Sequence, residues 1–201
     1  KGVDRDIICV TGIPVRCEFK RPVRRARAGS ATCSSWGAGW ACCPSGDSFY
    51  EALDALPGVH TTIITGNNRK LYDRLAGKYA HIEVLGFTDR VYDYMARADL
   101  VLTKPGGITL FETIFSELPI LRGSLSGAGE EQRPLPGEAG PWPRSGQGAE
   151  ECLSAIRALI YDDETLEWMA GNMRAMKGQL EEESLNRMLA GLEAEKGVRV
   201  G

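Results

Sequence analysis

Between Phe49 and Leu121 the chain alternates short apolar or β-branched runs with stretches whose apolar residues recur at helical spacing. That alternation limits the fold more than any single motif. Val59–Thr65 (VHTTIIT), Ile82–Leu85, Leu100–Leu102 and Leu118–Leu121 read as strands, and Asp6–Val10 reads as a short buried strand before them. Ser48–Leu56 has Phe49, Leu53 and Leu56 on one helical face. Gly66-Asn67-Asn68 is a turn opening a helix that continues through Leu71, Leu75 and Tyr79. Thr88 or Asp89 caps a helix carrying Val91, Tyr94, Met95 and Ala98, and Ile108–Phe115 opens another. From Ala149 the pattern is helical, through Cys152, Ile156 and Ile160, then Leu166, Met169 and Met173, then Leu185, Met188 and Leu192. Strands alternating with helices imply a parallel sheet with right-handed crossovers. Such sheets bind ligands at the carboxyl ends of their strands, so the loops after Thr65, Leu85 and Thr103 are where chemistry is expected.

Composition narrows the class. The 201 residues carry a net charge of −3, a poor prior for nucleic-acid binding. No run approaches the ~20 apolar residues of a membrane span, and no secretion signal opens the chain. The six cysteines form no CxxC pair, and no metal-ligand set is evident. Two windows depart from the rest. From Arg24 to Gly46 there is no Ile, Leu, Val, Met, Phe or Tyr; from Gly123 to Gly148 only Leu125 and Leu135 occur. Neither window is expected to supply a normal strand or helix face.

The segment richest in chemistry is Gly86–Pro119 (GFTDRVYDYMARADLVLTKPGGITLFETIFSELP). A strand ends in Lys104-Pro105-Gly106-Gly107 and a helix starts at once. Free backbone N–H groups and the positive end of the helix dipole make such a junction a ready anion site. Gly106 and Gly107 let a diphosphate approach the backbone, and Thr109 adds a hydroxyl. Glu112, about one turn into the helix, can reach a ribose diol with its carboxylate. The plain alternative is a turn capping a helix, with Lys104 and Glu112 both solvated.

Three pieces, TKPGGIT…E, GFTDRV…M…ADL and VTGIPV, resemble the glycosyltransferases that make glycosyl-diacylglycerols. These are the monogalactosyldiacylglycerol synthases and processive diacylglycerol glucosyltransferases, related to the lipid II-forming N-acetylglucosaminyltransferase of cell-wall synthesis. The resemblance covers Asp6–Phe19 and Phe49–Arg122, and more weakly the C-terminal helices. It implies a GT-B fold of two Rossmann-like domains, of which this chain matches the C-terminal, donor-nucleotide one. Expected boundaries are 1–22 for an interdomain connection and first strand, 23–180 for the nucleotide-sugar domain and 181–201 for a helical tail. The resemblance places Phe87 and Thr88 beside uracil and Gly106, Gly107 and Thr109 at the diphosphate, with Lys104 nearby. It places Glu112 at the ribose, and Gly66 and Asn67 at the turn near the donor. No catalytic residue, metal or cofactor is assigned here; the base and lipid surface belong to the other domain.

The implied function is transfer of a hexose from a UDP-sugar to diacylglycerol at the cytoplasmic face of the plasma membrane, by peripheral contact. The alternatives are a decayed nucleotide-sugar-binding fragment and a UDP-N-acetylglucosamine transferase acting on a lipid-linked cell-wall precursor. The family also carries a Gly-rich loop where Ala31–Pro44 stands and a donor-sugar segment where Gly123–Gly148 stands. Codon arithmetic offers a reason for their absence. Trp has the single codon TGG, so reading Ala31–Pro44 one base early forces glycine at the Trp36–Gly37 and Trp40–Ala41 junctions. The code then permits an apolar strand followed by a Gly-rich loop. Gly127–Arg144, read in the remaining frame, permits a segment like the missing one. Both windows therefore read as out-of-frame translations, the alternative being a divergent insertion. Either way the Rossmann-like half is expected to be disrupted at 24–46 and 123–148, short of a strand and a helix, and catalytically incomplete. A glycine pair at Gly106 does not by itself hold a nucleotide diphosphate at useful affinity.

The remaining residues read as structural. Arg21, Arg24, Arg25 and Arg27 form a basic run that reads as partly shifted sequence or a solvated loop, the other reading being a contact with anionic lipid headgroups. His60 and His81 lack partners for catalysis. Asp162, Asp163 and Glu164 read as helix N-terminal acids. Trp168 and Met173 read as packing residues.

Overall fold

The structure, a computed structural model, describes residues 13–20, 30–33, 46–103, 106–122 and 148–180. Five strands alternate with helices: β1 (Ser30–Cys33), α1 (Asp47–Asp54), β2 (His60–Ile64), α2 (Arg69–Leu75), β3 (Ile82–Leu85), α3 (Val91–Met95), β4 (Leu100–Thr103), α4 (Gly107–Phe115) and β5 (Ile120–Arg122). Two longer helices follow, α5 (Ala149–Ile160) and α6 (Asp163–Gln179). All four pairings are parallel and the order is β3-β2-β1-β4-β5. This is the doubly wound order, in which the chain reverses direction across the sheet between β1 and β4.

Alternation along each strand builds two cores. Ile63, Leu100, Leu102 and Leu121 face one side, with Phe49, Tyr50 and Leu53 of α1, Leu75 of α2, and Cys152, Ile156 and Ile160 of α5. Ile64, Val101 and Ile120 face the other, with Val91 and Met95 of α3, Ile114 and Phe115 of α4, and Met173 of α6. Each fully buried side chain of this size stabilises by roughly 1.5–3 kcal/mol, so even strands of three to five residues persist once both faces are covered.

One expectation is overturned at the centre of this sheet. Ser30–Cys33 lies within the window expected to hold no strand, yet it forms β1. Its four residues pair with Ser30↔His60 through Cys33↔Ile63 on one side, and with Leu100 and Val101 on the other. Strand pairing uses backbone N–H and C=O groups, which Ser, Ala, Thr and Cys supply as well as Val does. Residues 24–29, 34–45 and 123–147 lie outside the described residues, as do the expected strand Asp6–Val10, the basic run from Arg21 to Arg27, the tail 181–201, and Lys104 with Pro105.

Smaller corrections have local causes. Helix α2 stops at Leu75 because Gly77 turns to a φ of 72°, so Tyr79 packs from a loop, its ring 6.2 Å from that of Tyr50. Neither Thr88 nor Asp89 is the N-cap of α3. Arg90 is, and the Thr88 hydroxyl accepts its backbone N–H at 3.1 Å. Trp168 is 57% exposed and does not pack, whereas Met173 is buried. The acids at the start of α6 behave as expected: Asp162 is the N-cap and accepts the Thr165 N–H at 3.0 Å.

Candidate functional site

Parallel strands place every strand-to-helix loop on one edge. Gly66 and Asn67 follow β2, Phe87 and Thr88 follow β3, and Gly106, Gly107 and Thr109 follow β4. The edge is held rigidly at β2 and β3, where the Thr65 N–H and hydroxyl both donate to the Leu85 carbonyl, at 2.8 and 3.0 Å. Gly66 turns with a φ of 55°, and a Cβ added to Gly86 would come within 4.0 Å of the Gly66 carbonyl, so these two loops touch. Asn68 caps α2 by accepting the Leu71 N–H at 3.1 Å. Asn67 is exposed, with its carbonyl taking the Arg69 N–H. Phe87 is 76% exposed, an apolar ring presented to solvent at the same edge.

Helix α4 begins beside the switch point. Its N-cap is Gly106, with φ −75° and ψ 158° and no side-chain capping bond. The first turn therefore presents backbone N–H groups without intrahelical partners. Ordinary extended backbone at Gly106 suits any residue, and no atom lies within 4 Å of where its Cβ would be. Neither backbone strain nor crowding explains the glycine. The Thr109 carbonyl is taken by the Thr113 hydroxyl, and its own side chain is half-buried.

Glu112 is the unusual group. It is 6% exposed, and burial pushes its carboxyl above the ordinary carboxylate range. The opposing pull is Arg16, whose Nη2 is 3.5 Å from Glu112 Oε1. Arg16 stands on the segment Ile13–Lys20, which ends in a short 3₁₀ turn (Cys17–Lys20). Phe19 buries into the core on the α3/α4 side. Arg16 lies over its ring, 5.1 Å from the centroid, and donates to the Asp89 carbonyl at 3.0 Å. At the head of this segment Ile13 packs on Gly107, where an added Cβ would be 3.2 Å from Ile13 Cδ1. Sequence reading missed Arg16. It is the only basic residue between Ile13 and Phe19, but nothing in its spacing announces a partner almost a hundred residues away.

The structure thus brings Gly66, Asn67, Phe87, Thr88, Gly106, Gly107, Thr109 and Glu112 to one side of the sheet, while Lys104 lies outside the described residues. The histidines sit elsewhere. His60 opens β2 and His81 precedes β3 at the opposite edge, their rings 5.8 Å apart. Asp54 accepts the His81 backbone N–H there at 2.6 Å, a staple between α1 and the loop before β3. Among the described residues no group of three or more His, Cys, Asp or Glu is placed to hold a metal, and no helix is long and apolar enough to cross a membrane.

Comparison with known proteins gives this edge a context. No protein-family model matches the chain. The processive diacylglycerol β-glucosyltransferase of Staphylococcus carnosus is 28% identical to it across 88% of this chain and 48% of the relative. That of Staphylococcus aureus strain Newman is 24% identical over the same shares. These homologues are diacylglycerol glucosyltransferases. The chain spans about half the length of the curated relatives it matches. Solved structures agree on the fold. Anabaena HepE in complex with UDP and glucose superposes with a TM-score of 0.54 at 18% identity, covering 84% of this chain and 49% of HepE. The S. aureus MnaA–UDP co-structure superposes with a TM-score of 0.55 at 18% identity, covering 86% and 46%. The architecture is a Rossmann-like half of the GT-B kind. It is also shared by a structure titled as a putative UDP-N-acetylglucosamine 2-epimerase from Listeria monocytogenes, with a TM-score of 0.58.

Proposed function

We propose that this chain is the donor-nucleotide half of a two-domain transferase that moves a hexose from a UDP-sugar to diacylglycerol. One observation carries the reading. The uncapped, glycine-led start of α4 lies beside the switch point, with a buried carboxylate a turn and a half inside it. In this reading the diphosphate sits on the N–H groups at Gly106 and Gly107, with Thr109 donating its hydroxyl and Lys104 adding charge. Glu112 accepts from the ribose hydroxyls, Phe87 and Thr88 flank the uracil, and the Gly66-Asn67 turn faces the sugar. As the sugar's anomeric carbon is attacked by an acceptor hydroxyl, negative charge grows on the departing UDP. A helix N-terminus fixed in advance stabilises that charge without reorganising. The acceptor, the base and contact with the cytoplasmic membrane face fall to the other half.

The reading is tested in two steps. A heteronuclear NMR titration of this chain with UDP is expected to shift the Gly106, Gly107 and Thr109 amides with a Kd in the millimolar range, about −4 kcal/mol. Unmoved amides at about 20 mM UDP reject donor binding by this chain, because a millimolar site would be nearly filled there. Radiolabelled UDP-hexose incubated with the frame-corrected, full-length protein is expected to label lipid; absence of label with every hexose donor rejects the transferase. A second reading, a nucleotide-sugar-binding module without turnover, is favoured by the composition of Gly123–Gly148, which lacks the donor-sugar segment of the resembling family. Binding of UDP without any labelled lipid selects it.

A further inference from the structure

The chain's only two histidines meet at the end of the sheet away from the strand-to-helix loops. His60 opens β2, and His81 stands one residue before β3, the edge strand. Each lies one position ahead of the Thr61↔Ile82 pair, and the Thr61 N–H donates to the His81 carbonyl at 2.9 Å. Side chains two residues apart on a strand share a face, so both imidazoles rise on the face of Thr62 and Glu83, whose side chains meet at 3.4 Å. Both histidines are exposed, and their rings stand 5.8 Å apart at 59° to each other, so they are not stacked. We propose that His60 and His81 form a two-imidazole site for a divalent transition cation, of which zinc is the type, and that the bound ion ties edge strand β3 to β2. The proposal is independent of the donor-site reading above.

The tautomer of His81 follows from its neighbours. Its Nδ1 lies 3.1 Å from the Asp54 carbonyl oxygen and 3.7 Å from Asp54 Oδ1, both acceptors. Nδ1 therefore carries the hydrogen, and Nε2 of the neutral ring holds the lone pair. A metal-bound imidazole ordinarily donates its other N–H to a carbonyl or carboxylate, which fixes the ring and makes it a better ligand. Asp54 already supplies that support, and its carboxylate is itself held by the Ala80 and His81 backbone N–H groups at 3.3 and 2.6 Å. The spacing also fits. A tetrahedral ion held by two imidazole nitrogens at about 2.0–2.1 Å has ring centroids about 5.2 Å apart. Closing from 5.8 Å needs only small rotations of two exposed side chains. Imidazole favours zinc, copper or nickel over magnesium or calcium. With two protein ligands, water fills the other positions, and the ion serves as a clip from β2 through His81 to Asp54 of α1.

The test is a titration of the chain with Zn²⁺ alone, followed through the imidazole ¹⁵N signals, which belong to these two residues and no others. Both Nε2 signals are expected to move together with one Kd, while the His81 Nδ1 keeps its hydrogen. In His60→Gln and in His81→Gln the remaining imidazole is expected to bind at least about tenfold more weakly, because the second ligand no longer acts within the same molecule. The double variant is expected to show no imidazole signal and to lose the slowing described next. With zinc at ten times its Kd, exchange of the Thr61 amide with solvent is expected to slow about tenfold, since the ion binds only while the two strands are paired. Zinc uptake with both imidazoles unmoved places the ion on thiols and overturns the proposal. So does movement of one imidazole alone, or an affinity that either single variant retains. Unchanged Thr61 exchange overturns the tie between β3 and β2. Both substitutions are at exposed positions, and the amide spectrum of each variant reports its folding directly.

Discussion

Placing a carboxylate at the start of α4 should stabilise the protein and damage the site together. Gly106 is the N-cap, in extended backbone, with open space where a Cβ would stand and no side chain satisfying the first-turn N–H groups. In Gly106→Asp the new carboxylate accepts from one or two of those groups. A good cap over glycine contributes a few tenths of a kcal/mol, and a negative charge at the dipole's positive end adds about 0.3–1 kcal/mol. The sum is about 1 kcal/mol. With a urea dependence of about 2.5 kcal/mol per molar for a chain of this size, the unfolding midpoint should rise by roughly 0.4 M. The same carboxylate would occupy the donors proposed for the diphosphate and repel its charge, so the UDP-induced amide shifts should vanish. Urea unfolding followed by circular dichroism gives the first number and NMR titration the second. A lowered midpoint contradicts the capping geometry. A raised midpoint with undiminished UDP binding refutes the placement of the anion at α4.

Glu112→Gln should leave stability at pH 7 unchanged or raise it by about 0.5 kcal/mol, because burial opposes the charge more than Arg16, itself well exposed, favours it. A carboxyl raised above its unfolded value gives stability that is present at low pH and lost as pH rises through the folded value. The natural chain should lose that increment on moving from acid to neutral pH, and the variant should not; identical urea profiles would contradict this. Glu117 behaves oppositely. It holds a φ of 52° where helices usually place glycine, as the Leu118 and Glu117 N–H groups close the end of α4 on Thr113 and Ile114. Its burial is outweighed by Lys177 at 3.0 Å and Arg174 at 3.1 Å, which hold its carboxyl below the usual range. That stability is complete above the ordinary carboxylate pKa and is lost as pH falls through the lowered one. Glu117→Ala should cost about 1–2 kcal/mol, and Glu117→Gly about 1 kcal/mol less because the left-handed strain is relieved; equal midpoints for the two in urea would refute the strain argument. Met95→Ala, at a fully buried site, should cost about 2–5 kcal/mol by the same unfolding measurement; a cost below 1 kcal/mol would show that the α3 side of the core is loosely packed.

The elements legible in the sequence are those whose side chains carry the period. Ile63 and Ile64, Leu100–Leu102 and the Phe49–Leu53 pair announce strand or helix because burial demands large apolar groups there. Strand β1 was illegible for the opposite reason. Ser-Ala-Thr-Cys has no large apolar residue, and what makes it a strand is pairing on both sides, which no local pattern reveals. Trp168 shows size overriding phase: Leu166, Met169 and Met173 form the buried stripe of α6, and Trp168 lies off it. At the site, the loop residues could be placed because parallel topology sends all such loops to one edge. The partnership of Arg16 with Glu112 could not, because it joins positions far apart in the chain through a fold that had first to form.

The make-up of β1 also bears on how firmly the sheet is keyed. Register in a strand is ordinarily enforced by bulky groups that must return to the same face, and a slide of two residues keeps every side chain on its own face. Four small residues in the middle rung give such a slide little to oppose it, so the neighbours β2 and β4 set the alignment from outside. Cys33 ends β1 at the switch point, and a two-residue slide would move that end by about 6–7 Å along the sheet. Larger β-branched residues at positions 31 and 32 would be expected to hold the central strand more firmly in the register it has.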